Sequence, residues 1–116
     1  MAPLDRAREE LLRRLAINDE IAVEAAVQAP LGDDASSLDP KTDALVRLAG
    51  VIALASSPAS YQWGVARALA AGASEDEIVG VLASLAPVVG VVSVNRAAPE
   101  LSVALGVELN PQGSDR

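Results

Sequence analysis

The run VARALAAGASEDEIV, residues 65–79, decides how this chain reads. Val65 and Leu69 belong to an apolar helical stripe that stops at Gly72, a residue suited to the left-handed conformation that closes a helix. Two residues later, Ser74 followed by Glu77 forms a capping box, and the apolar Ile78 and Val79 start a new helix. One helix ends, a tight turn follows, and a second begins. The same grammar extends in both directions. Upstream, Ser57-Pro58 opens the helix that holds Tyr61, Trp63, Val65 and Leu69, with Ser as cap and Pro in the first turn. Asp39-Pro40 repeats that signal and predicts a helix to about Ala55 through Leu45, Val46, Leu48 and Ile52.

Before it, Leu31 to Leu38 is a polar loop. A helix capped by Asn18 or Asp19 carries Ile21, Val23, Ala26 and Val27 and ends before Pro30. The first helix, Asp5 to about Ala16, has a stripe of Leu4, Leu11, Leu12 and Leu15. Glu9–Arg13 and Glu10–Arg14 are its i,i+4 pairs. Downstream, the fifth helix is expected to run to about Ala86, with Pro87 and Gly90 as breakers. The last is expected from Val91 to Leu105, kinked at Pro99 and ending at Gly106. Residues 110–116 read as a loose polar tail. The fold class is therefore all-α, a bundle of about six helices. The β-branched Val88 to Val94 also fits a strand, but no second strand-like run exists to pair with it.

The 116 residues fit a single domain, with an N-terminal helical hairpin over 1–30 and a core over 38–109. Hydrophobic residues make up 51% and aromatics only 2%, so Ala, Val, Leu and Ile must build the core. A chain this short and apolar is expected to bury surplus surface against copies of itself. The net charge of −7 argues against nucleic acid and against an anionic membrane surface as partners. Ile78 to Val94 carries no charge but contains Gly80, Pro87 and Gly90, and is short for a span of roughly 20 residues. It reads as buried helices around a break. The charged first residues lack the apolar stretch of a signal peptide, so cytoplasm is the expected location. With no Cys and no His, thiol, imidazole and zinc chemistry are excluded. Asp33-Asp34 and Glu75 to Glu77 lack the spacing of a calcium loop, and neither metal nor cofactor is expected.

LDPKTDALV at 38–46, VARALAAGASEDEIV at 65–79 and APVVG at 86–90 followed by Asn95 together resemble the carboxymuconolactone decarboxylase and alkyl hydroperoxidase D-like family, over about two-thirds of the chain. The resemblance implies that family's helical bundle and a homo-oligomer, with a trimer or hexamer favoured. It also implies where chemistry would sit. Hydroperoxidase members carry Cys-x-x-Cys at the start of the fourth helix and a His four residues on. Those positions fall on Ser57, Ser60 and Gly64, and the upstream Glu falls near Ala44 or Leu45. Two serines cannot form a disulfide, and a hydroxyl is hardly ionised at neutral pH. The decarboxylase branch also uses a His at the Gly64 position.

The candidate site is Ser57, Ser60, Tyr61, Trp63, Gly64 and Arg67, with Asn95 expected to face Tyr61 and Trp63 from the last helix. A helix N-terminus at Ser57 to Ser60 offers N–H groups to a carboxylate. Arg67, four residues after Trp63, is placed to stack on the indole or hold an anion. The plainer alternative is that Ser57 only caps, Trp63 fills the core, Gly64 lets a helix approach and Arg67 covers the ring. No carboxylate reads as clearly buried, and Arg47–Asp43 reads as a solvated pair. Three functions stay open: a binder of a small anionic organic ligand near Trp63, a structural or regulatory oligomerisation module, and a cofactor-free decarboxylase, isomerase or cyclase.

Overall fold

A computed structural model describes residues 2–109, so the tail expected over 110–116 lies outside the described residues. Among the described residues there are six α-helices and one 3-10 turn: α1 (Arg6–Ala16), α2 (Glu20–Val27), η1 (Asp34–Ser36), α3 (Pro40–Ala53), α4 (Pro58–Ala70), α5 (Glu75–Val89) and α6 (Val91–Leu105). No strand occurs among the described residues, and Val88 to Val94 is helical except at Gly90. No described helix is long and apolar enough to cross a membrane. Two compact units divide at Asp39 and Pro40.

In the first unit, α1 packs on α2. The Asp19 carboxylate caps α2 by accepting from the amides of Ile21 and Ala22 at 3.1 and 3.2 Å. Arg14 pairs with Glu10 as expected, at 3.1 Å, whereas Arg13 turns to Glu10 instead of Glu9. The loop after α2 is less open than its composition suggested. Asp33 caps η1, and Arg8 donates to Ser37 Oγ and to the Asp34 carbonyl. Neither α1 nor α2 buries a side chain, and a hollow of about 710 Å³ lies between them, walled by Leu11, Ile21, Ala22 and Ala25.

The second unit is a ring of four helices. α3 packs against α4 and α5, and α6 packs against α4 and α5, so α4 and α5 stand at opposite corners. Ala44, Leu48 and Ile52 from α3 meet Tyr61, Val65 and Ala68 from α4, Ile78 from α5, and Ala97 and Leu101 from α6. These positions recur every three or four residues, the period that brings one helical face inward. The caps at Ser57 and Ser74 are present, and the capping box is complete. α3 stops at Ala53, short of the expected Ala55, because Ala55 adopts φ +53° while the Ser56 amide reaches back to the Val51 carbonyl at 3.2 Å.

Pro87 does not end α5. It removes one backbone donor near the C-terminus, but the Gly90 amide still closes the last turn on the Ala86 carbonyl at 3.0 Å. The break falls at Gly90, whose φ of +86° and ψ of 176° suit glycine almost alone.

Candidate functional site

The first turn of α4 is built by two serines that satisfy each other. Ser57 Oγ accepts from the Ser60 amide at 3.3 Å, and the two hydroxyls lie 3.1 Å apart. Pro58 has no amide proton and the Ser60 amide is engaged, so the turn presents fewer N–H groups to an anion than its sequence suggested.

Tyr61 and Trp63, two residues apart, go to opposite faces, because each helical residue turns about 100°. Tyr61 is 1% exposed, while Trp63 is 65% exposed. Tyr61 Oη is buried without a hydrogen-bond partner. Burial pushes its pKa up, and the negative charge of Glu100 adds to that push while Arg96 opposes it. The phenol therefore stays protonated at neutral pH and is a poor base. Asn95 is exposed on α6; the α6 charges that act on Tyr61 are those of Arg96 and Glu100, one turn apart.

Gly64 faces inward against Leu48, and a Cβ placed on it would fall 3.1 Å from Leu48 Cδ1. Leu48 is fully buried, so it has little room to yield. The position where the family resemblance looks for a His is thus a helix-to-helix contact, and a side chain there would have to displace Leu48. Arg67 lies on the outward face with Trp63, and its guanidinium takes no hydrogen-bond or ion-pair partner among the described residues.

Asp43 corrects the sequence reading. It is 5% exposed, and Arg47 donates to it through Nε at 3.1 Å and Nη2 at 3.5 Å. A buried carboxylate persists when it is paired and hydrogen-bonded. The signal was present in the sequence: Asp43 precedes the inward positions 44, 48 and 52 and stands four residues before an Arg. Leu48 was legible as core, but its place against Gly64 was not.

The second unit also carries an open hollow of about 500 Å³ between α3 and α5, away from all seven candidate residues. Leu45, Val46 and Ala49 wall one side, Gly80, Val81 and Leu85 the other, and Glu77 stands at one end. Lys41 binds that Glu77 at 3.0 Å. The Ser74 amide, donating to Glu77 at 2.9 Å, and then Lys41 hold this carboxyl below its usual range. Among the described residues no three acidic side chains converge as metal ligands.

No curated protein and no solved structure matches this chain. A family model does match, over residues 22–102, from the third residue of α2 to the last turn of α6. The match takes in the capped helix pairs and the glycine break described above, and by its extent the chain belongs to the carboxymuconolactone decarboxylase family.

Proposed function

We propose that this chain is a thiol-free family member that works as a self-assembling helical module, a trimer or hexamer, rather than as a peroxidase. The observation that carries the reading is the uncharged corner where α5 meets α6. Val88, Val91 and Val92 are all more than half exposed there, with Val88 at 79%. Apolar surface gains about 25 cal/mol for each Å² withdrawn from water, so exposed valines grouped at one corner favour association. In the hairpin of α1 and α2, which buries no side chain, the exposed Ile21 and Val27 add further apolar surface. The Leu48–Gly64 contact supports the chemical half of the reading, since it fills space that catalysis at this position would need. Light scattering on the full chain tests the proposal. It is expected to return the mass of several chains, and a monomer at every concentration would overturn it.

A second reading keeps a small anionic organic ligand at α4. It is favoured by Trp63 and Arg67, four residues apart on one exposed face. A panel of aromatic acids and lactones should then change the emission of Trp63, the sole Trp. No change at millimolar concentrations rejects this reading and leaves the first intact.

A further inference from the structure

Trp63 is the largest exposed side chain of α4, and Arg67 is that helix's only charge. On the α3 side of α5 lies the hollow of about 500 Å³, lined mostly by aliphatic and small side chains. We propose that Trp63 of one copy inserts into the α3–α5 groove of a second copy, with Arg67 meeting the acidic first turn of that copy's α5. The inference rests on the assembly reading and specifies its contact.

Three observations carry it. The first is size: a cavity of about 150 Å³ already holds a benzene ring, so the groove has room for an indole. The second is charge. The first turn of α5 contributes Glu75, Asp76 and Glu77, and only Glu77 is matched, by Lys41. The guanidinium of Arg67 is the complement of what remains. The third is register. Trp63 and Arg67 are four residues apart, and so are Val81 on the groove wall and Glu77 at its end. At 1.5 Å per residue both spans are about 6 Å. An indole seated at Val81 therefore brings Arg67 to the first turn of the second copy's α5, whose acidic excess the single Lys41 does not neutralise, when α4 runs antiparallel to that helix.

A chain cannot fill its own groove this way, because α4 and α5 occupy opposite corners of the ring and Trp63 points outward. The contact is head-to-tail, with a knob on one surface and a hole on another. Such an interface builds closed rings when the rotation permits. Trp and Arg are both enriched in interface hot spots.

Two variants test it. Trp63→Ala removes the knob. Gly80→Leu fills the hole, since nothing lies within 4 Å of a Cβ at Gly80 and that position lines the groove. Each variant alone should drop to monomer mass with its helical circular dichroism retained. Mixed, they should form a 1:1 heterodimer, since one supplies an intact knob and the other an intact groove. The emission of the remaining Trp63 should shift to the blue on mixing. Should Gly80→Leu lose helicity, Ala49→Leu narrows the same groove from α3 and replaces it. A folded variant that keeps the wild-type mass, or a mixture that stays monomeric, overturns the insertion while leaving assembly standing. A wild-type chain that is itself monomeric overturns both.

Discussion

The two faces of α4 contrast more sharply than any other pair of surfaces in this chain. The inner face, Tyr61, Gly64, Val65 and Ala68, is buried against α3 and α6. The outer face, Gln62, Trp63, Ala66 and Arg67, is open. At Gly64, where the family resemblance looks for a His, the inner face is packing. The side chains with recognition chemistry, an indole and a guanidinium, stand on the outer face. Position along a chain does not locate a site; the helical phase does.

The contrast breaks first at the aromatics. Tyr61→Ala should cost about 3–5 kcal/mol of unfolding free energy, as deletion of a buried ring does. Trp63→Ala, measured where the chain is dilute enough to be monomeric, should change it by no more than about 0.5 kcal/mol. Comparable losses in urea denaturation would erase the distinction between the faces. Tyr61→Phe sharpens it. Removing a buried hydroxyl that has no partner should leave stability unchanged or raise it by about 1 kcal/mol, whereas a hydroxyl with a hidden hydrogen bond would make the change unfavourable.

The helical glycines repeat the test on a smaller scale. Gly64→Ala gains about 1 kcal/mol of helix propensity but forces Leu48 to move in a filled core, and a net loss of about 1 kcal/mol is expected. Gly80→Ala adds a methyl to open space and should gain about 0.5–1 kcal/mol. Equal effects at the two sites would mean that Leu48 does not constrain α4.

Two titrations give the smallest effects. Tyr61, the only Tyr, has its folded pKa raised, so its contribution to stability is complete below the ordinary tyrosine value and is lost as pH rises through the folded one. Ultraviolet titration should show tyrosinate forming later than in the unfolded chain; ionisation at the ordinary value would place the ring in water. Glu77 has its folded pKa lowered. Its contribution is present above the ordinary glutamate value and fades as pH falls through the folded one. Glu77→Gln should flatten the acid limb of a melting profile, and an unchanged limb would show that the capping box is not formed.

Much of the fold was legible because its punctuation is chemical. Ser57-Pro58, Ser74 with Glu77, Gly90 and Gly106 each impose a local geometry that no distant contact has to supply. Pro87 misled because a proline near a helix end costs one hydrogen bond and not the whole turn. The candidate site was less legible. Grouping Tyr61 with Trp63 treated closeness in sequence as closeness in space, although two residues along a helix point nearly opposite ways. The burial of Asp43 and the Leu48–Gly64 contact depend on how α3 lies against α4, and a single sequence does not encode that distance.

The most direct test is the emission of Trp63 followed over a dilution series, with mass measured on the same samples. Assembly through the outer face of α4 predicts that emission moves from the solvent-exposed range to the blue in step with the rise from one chain to several. A mass that rises while the emission stays that of an exposed indole would contradict it.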